Sequence, residues 1–211
     1  MLGSEVTSDD STASDRGRGI NNIMLQLDKQ VNLLLGGGID SAALIAFYLS
    51  HGSTVRGIHF NYNQPSFQGE HHAVLALAQH YDISLTTIDL GLEIANTQGE
   101  YHCRNATLLF AAASILPTKQ GRFAIGIHAG TPYYDCSRTF ILDIQRIFDG
   151  YFAGSILVEA PFIEFTKKDV FKYCKLAKVP THLTFSCERS SDIPCGKCPS
   201  CLDRRALNAD F

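Results

Sequence analysis

Two short stretches of this chain carry residue types at spacings that could do chemistry. The first is Leu35-Gly36-Gly37-Gly38-Ile39-Asp40-Ser41. Consecutive glycines let a backbone turn tightly and aim several N–H groups at one point. Where such a turn opens a helix, the helix N-terminus adds partial positive charge, so the turn suits phosphate. No Lys-Ser or Lys-Thr pair closes it, so it is not the common P-loop, and the G-x-G-x-x-G spacing of a dinucleotide fingerprint is absent. Asp40 is the unusual residue. A carboxylate beside phosphates is repelled unless a cation stands between them, so Asp40 points to Mg²⁺; the plainer alternative is a helix N-cap. The second stretch holds Cys187, Cys195, Cys198 and Cys201, spaced C-x7-C-x2-C-x2-C. Four thiolates fill tetrahedral Zn²⁺ and leave no position for water, so the ion would be structural. An iron–sulfur cluster or redox-active pairs are the alternatives. Cys103, Cys136 and Cys174 show no such spacing.

These groups need a scaffold, and the hydrophobic pattern supplies one. Val31–Leu35, Thr54–Phe60, Ser84–Leu90, Arg122–Ile127 and Ile156–Ala160 read as buried strands. Between them, helices are expected over Asp40–His51, Gln68–Tyr81, Asn105–Leu116 (stopped by Pro117) and Arg138–Asp149. A last helix begins after Thr166 as N-cap, with Asp169 at the capping-box position, and runs to about Ala177. Strands alternating with helices imply an α/β fold of Rossmann-like type: a parallel sheet with helices on both faces. Ligands of such sheets sit at the carboxyl ends of the strands. That rim holds Gly36 to Ser41, the turn after Phe60 and the turn after Ile127, while the cysteines follow the last sheet element as a separate small unit.

Composition narrows the function classes. The chain has 211 residues, 45% of them hydrophobic and 18% charged, with a net charge of −3. That balance suits one domain with a small appendage and a small-molecule ligand, and argues against nucleic acid as partner. No apolar run is long enough for a membrane span. The N-terminus lacks a basic region followed by an apolar stretch, and Glu5, Asp9 and Asp10 argue against a transit peptide, so the cytoplasm is the expected location. Seven cysteines, four of them clustered, then read as metal binding in a reducing compartment. Residues 3–19 are polar, with few apolar side chains, and read as a disordered tail.

The glycine turn resembles the Ser-Gly-Gly-x-Asp-Ser loop of ATP pyrophosphatases, with Gly36 where that family has Ser. A more specific likeness is to the 7-cyano-7-deazaguanine synthases within that group, running from about Val31 to Leu207. It is carried by Thr184-Phe185-Ser186-Cys187 and Pro194-Cys195-Gly196-Lys197-Cys198-Pro199-Ser200-Cys201, and by Phe60-Asn61-Tyr62-Asn63-Gln64. Arg104-Asn105, Ile125-Gly126-Ile127-His128, Tyr134-Asp135-Cys136 and Thr166-Lys167 carry it further. The resemblance implies an adenine nucleotide α-hydrolase-like fold: a tail over residues 1–20, an ATP pyrophosphatase domain over 21–183 and a zinc-binding unit over 184–211. It implies ATP with Mg²⁺, structural Zn²⁺, a homodimer, and adenylation of the carboxylate of 7-carboxy-7-deazaguanine, releasing pyrophosphate. Ammonia then displaces AMP, and a second adenylation of the amide allows dehydration to the nitrile.

Residue by residue, the resemblance assigns catalysis to Asp40, Ser41 and Lys167. ATP and pyrophosphate fall to Gly36, Gly37, Gly38, Asp40, Ser41, Phe60, Arg104 and Lys167, and the deazaguanine to Tyr62, Gln64, Asn105, His128 and Asp135. Several have a bland counterpart. Lys167 could be solvated, Arg104 could pair with a carboxylate, and Asn105 could cap its helix. Phe60 and Tyr62 could be core, Asp135 a turn residue, and His128 structural.

The departures cluster near the implied site: Gly36 for Ser, His102-Cys103 for Pro-Gly, His128 for Asn, and Ser137-Arg138 for Arg-Pro. They suggest an altered second substrate. Relatives in anti-phage operons join the activated deazaguanine to a protein amine, so a protein acceptor is the first alternative. A non-catalytic nucleotide-binding module, favoured only by Gly36, is the second; a zinc-ribbon nucleic-acid binder has the wrong net charge.

Overall fold

The computed structural model describes residues 29–97, 100–115, 120–189 and 193–207. The tail expected over residues 1–20 and the helix stop expected at Pro117 lie outside them. In chain order the elements are β1 (Gln30–Leu34), α1 (Ile39–Ser50), β2 (Thr54–Asn61), α2 (Phe67–Tyr81) and β3 (Ser84–Asp89). A short antiparallel hairpin, β4 (Asn96–Thr97) and β5 (Glu100–Tyr101), precedes α3 (Arg104–Ile115). Then come β6 (Gly121–Ile125), α4 (Arg138–Phe152), β7 (Ile156–Glu159), α5 (Lys167–Leu176) and α6 (Pro199–Ala206). Among the described residues no helix is long and apolar enough to cross a membrane.

The sheet is parallel throughout, in the order β3-β2-β1-β6-β7. The chain moves outward from β1 to β3, then returns to the other side of β1 for β6 and β7. Right-handed crossovers require the helices to change faces at that reversal. They do: α1, α2 and α5 pack with Val31, Leu33, Leu35 and Ala124 on one face, while α3 and α4 pack with Leu34, Ile58, Phe123 and Ile125 on the other. The expected α/β architecture is therefore present, with element ends within a few residues of those read from the pattern.

Local sequence explains the elements that hold the site. α1 buries Ala42, Ala43, Leu44 and Ile45 in succession, as a helix covered on all sides must. α4 buries one stripe, Phe140, Ile144 and Phe148, and Ser137 caps it by accepting from the Phe140 N–H at 3.1 Å. One of the departures noted above thus has a plain structural role. α5 begins as expected: Thr166 and Asp169 form a reciprocal capping box.

Candidate active site and metal centre

The reversal of strand order places the ends of β1 and β6 side by side, and this crevice is where an open parallel sheet binds ligands. The glycine turn follows β1. Gly37 has φ +73, and a Cβ there would lie 2.8 Å from the Glu70 carbonyl oxygen and 3.1 Å from Ala73 Cβ. Only glycine allows both the left-handed backbone and this close approach to α2. Gly37→Ala is expected to lower stability by roughly 2–4 kcal/mol through backbone strain and overpacking. A urea midpoint equal to that of the unmutated chain would show that the turn is not held this way.

Ser41 folds the turn back on itself, its Oγ accepting from the Gly36 N–H at 3.0 Å. The hydroxyl proton stays available to donate. The N–H groups of Ile39, Asp40 and Ser41 open α1, where a helix offers no i−4 carbonyl, and Gly38 adds no side-chain cap. The donors expected of an anion site are therefore present. His59 supports the turn from below. Its Nδ1 lies 2.8 Å from the Leu35 carbonyl, which can only accept, so Nδ1 carries the proton. Burial pushes its ring down to about 4, keeping it neutral. It stacks with Phe67 and His71, a cluster that no local pattern singles out.

Lys167, 127 residues away in sequence, reaches this turn: its Nζ donates to Asp40 Oδ2 at 2.5 Å. The other carboxylate oxygen, Asp40 Oδ1, is buried without a hydrogen-bond partner. An orphaned carboxylate oxygen beside a phosphate-type turn fits a hard divalent cation, and Mg²⁺ typically takes one or two protein carboxylates beside substrate phosphates. Gly126, after β6, closes the other side: a Cβ there would sit 3.3 Å from Asp40 Cβ.

A second polar group lies where β2 and α3 meet. Gln64 is engaged within the protein: its Oε1 accepts from the Tyr62 N–H at 2.9 Å, and its Nε2 donates to the Phe60 carbonyl and Glu70 Oε2, each at 3.0 Å. Glu70, missed in the sequence, also accepts from Ser66 at 2.7 Å; burial raises its pKa, and the Ser66 and Gln64 bonds oppose that rise. Its i,i+4 spacing from Ser66 was the available signal. Arg104 lies among Tyr62, Tyr101 and Asn105. Burial pushes the Tyr62 phenol up to about 12, against the pull of Arg104. Asp135 Oδ2 accepts from the Asn105 N–H at 3.1 Å, and Asn105 Nδ2 donates to the Asp135 carbonyl at 2.9 Å, so the pair caps α3. His128 is half-buried, with Nδ1 2.8 Å from the Ala129 carbonyl. Phe60 and Tyr62 are 3% and 7% exposed and pack in the core under α3, so their rings present little face to a ligand.

The cysteines form the other centre. The Sγ atoms of Cys187, Cys195, Cys198 and Cys201 lie within 4.8 Å of one another. Tetrahedral Zn–S bonds of about 2.3 Å would set sulfur separations near 3.8 Å, so the four could hold a metal such as zinc after small shifts. Backbone N–H groups already point at sulfur: Cys195 to Cys187 and Cys198 to Cys195, both at 3.3 Å. The Lys197 and Cys198 N–H groups hold the Cys195 thiol down to about 6. This unit is less separate than the sequence suggested. The Phe185 N–H donates to the Gly37 carbonyl at 2.9 Å, fastening it to the glycine turn.

Residues 30–100 and 101–209 match the model of the queuosine biosynthesis protein QueC. The chain belongs to the QueC family. Among its relatives are enzymes named 7-cyano-7-deazaguanine synthase. That of Methanoculleus marisnigri is 30% identical, covering 84% of this chain and 92% of the relative. That of Campylobacter fetus is 29% identical, covering 84% and 91%; that of Archaeoglobus fulgidus is 27% identical, covering 82% of each. At such identity this QueC-family chain is a divergent member.

Proposed function

We propose that this chain is an ATP-dependent carbon–nitrogen ligase of the 7-cyano-7-deazaguanine synthase type, forming AMP and pyrophosphate. The observation that carries the reading is the meeting of Asp40 and Lys167 at the glycine turn of a QueC-family chain. The α1 N–H groups and the turn bind the β- and γ-phosphates as a unit, leaving the α-phosphorus open. Lys167 then moves from Asp40 to the phosphates, where its charge stabilises the departing pyrophosphate. Asp40 would hold a Mg²⁺ ion, which would supply charge neutralisation for the phosphates. The substrate carboxylate oxygen attacks the α-phosphorus and the α–β bridging bond breaks, giving an acyl adenylate. AMP is then displaced by an amine nitrogen. In the synthase reaction, the amide oxygen attacks the α-phosphorus of a second ATP and pyrophosphate leaves; loss of AMP with two protons then gives the nitrile. Positioning and electrostatics do this work, with little acid–base demand. Asp135 keeps lone pairs beyond the one capping α3 and faces the base's N–H groups in this reading, while Arg104 and Asn105 hold that end of the site. Zinc on the four cysteines is structural.

A protein amine as the final acceptor is the second reading, and it rests on the departures from the family pattern at Gly36, His102-Cys103 and His128. Cys103 stands where the resemblance places Gly and keeps a left-handed backbone, φ +55, with its side chain exposed. The substitution is thus kept despite the backbone strain. Mass spectrometry of products from ATP, Mg²⁺, ammonia and 7-carboxy-7-deazaguanine tests both readings. AMP and pyrophosphate are expected in either case. Nitrile formed quickly and completely favours ammonia; adenylate that accumulates with ammonia present favours a protein acceptor. ADP and orthophosphate as direct products would overturn the assignment.

A further inference from the structure

We propose that Ser186, oriented by Arg204, donates a hydrogen bond to the departing pyrophosphate at a turn where Gly36 itself offers no hydroxyl. The proposal rests on the reading of the glycine turn as the pyrophosphate site.

Two positions on the turn differ in what surrounds them. A Cβ at Gly36 would meet nothing within 4 Å, so no neighbouring side chain fills the place of a loop serine. A Cβ at Gly38 would lie 3.7 Å from Ser186 Oγ. Gly38 is the N-cap of α1, so the Ser186 hydroxyl stands at the mouth of the helix, beside the N–H groups that would hold the anion. The backbone holds it there, because Phe185, its neighbour, is bonded to the Gly37 carbonyl.

The direction of the hydroxyl follows from Arg204. This side chain is buried, 3% exposed, and its two terminal nitrogens hold the segment in place. Nη1 donates to Thr184 Oγ1 at 2.7 Å and to Ser186 Oγ at 3.4 Å, and Nη2 donates to the Thr181 carbonyl at 2.9 Å. An arginine only donates, so Ser186 Oγ accepts on that side and keeps its own proton for another partner. Accepting from a cation also polarises the hydroxyl and strengthens it as a donor. Ser186 is half-buried, so part of it remains open to a ligand. Arg204 is a positioning residue, whereas Ser186 touches the leaving group.

The test is a double-substitution cycle on the full metal-loaded chain, read by calorimetric titration with inorganic pyrophosphate and Mg²⁺ and by the KM for ATP and kcat for AMP release. Ser186→Ala is expected to weaken pyrophosphate about tenfold to a hundredfold, the range for a hydrogen bond to a charged group. Gly36→Ser, which the open space accommodates, is expected to tighten it and to recover most of the loss in the Ser186→Ala background. Ser186→Thr keeps a hydroxyl and is expected to stay near wild-type affinity. Equal losses from Ser186→Ala in both backgrounds would overturn the proposal, as would affinity unchanged within twofold. A Ser186→Ala chain that loses its metal or fold would show a structural role and overturn it too. Wild-type chain that binds no pyrophosphate would overturn the reading of the turn itself, and this proposal with it.

Discussion

Asp40→Ala is expected to reduce AMP formation by at least about a hundredfold to a thousandfold, the scale on which removing one preorganised electrostatic contact acts. The melting temperature should fall by only about 2–8 °C, leaving the chain folded at the assay temperature. The Asp40 and Lys167 side chains are 20% and 28% exposed, and removing Asp40 also removes its unpartnered buried oxygen, so losing the ion pair costs about 1–2 kcal/mol. Loss of activity with fold intact would therefore report on function. Lys167→Met separates two accounts of the pair. If Asp40 only positions Lys167, either substitution should give the same loss, and the double variant should lose nothing more. If Asp40 anchors Mg²⁺ while Lys167 meets the pyrophosphate, the losses should compound, and raising Mg²⁺ should partly recover Lys167→Met but not Asp40→Ala. AMP release measured by chromatography decides. An Asp40→Ala chain with near-normal turnover would remove the central residue of the proposed site.

The parts legible in the sequence were those written in local pattern. β1 was readable because Val31 to Leu35 is apolar but for Asn32 and stops at three glycines, and α5 because Thr166 and Asp169 spell a capping box. The cysteine cluster was readable because its spacing is a ligand spacing. Three kinds of feature were not. β4 and β5 have two residues each, too short for any periodicity. α6 was hidden because Pro199 and Cys201 read as turn and ligand, although proline is at home in a helix's first turn. The third kind is the fate of polar side chains with partners far along the chain. Nothing local says that Gln64 folds onto Phe60 and Glu70, or that Asp135 caps a helix 30 residues earlier. A motif places a residue near a site but does not decide whether its hydrogen bonds go outward to a ligand or inward to the protein. Ser186 and Arg204 lay inside or beside the cysteine motif, yet their relation to Gly38 exists only in three dimensions.

Cys198→Ser is expected to release the metal and unfold the C-terminal unit while the sheet survives. Cys198 is fully buried, and its sulfur packs with Cys187 and Cys201 in a cluster of its own, apart from the two cores on either side of the sheet. So small a cluster buries too little apolar surface to stay ordered alone, and metal binding in such units is inseparable from folding. A serine leaves three thiolates and a poor fourth ligand. Metal analysis should fall from about one ion per chain to a small fraction, and proteolysis should begin to cut within residues 184–207. The effect should then travel. Phe185 and Ser186 lie on the glycine turn, so their release frees the Gly37 carbonyl and removes a wall of the proposed phosphate site. AMP formation should drop with the metal, and a chelator acting on the unmutated chain should reproduce both losses. Two results would sink this account: a Cys198→Ser chain that keeps its metal tightly, or unmutated protein carrying neither zinc nor iron. A third would divide it. If the metal leaves and the unit is cut but AMP formation persists, the cysteine centre serves only its own fold, and the contact at Gly37 carries no function.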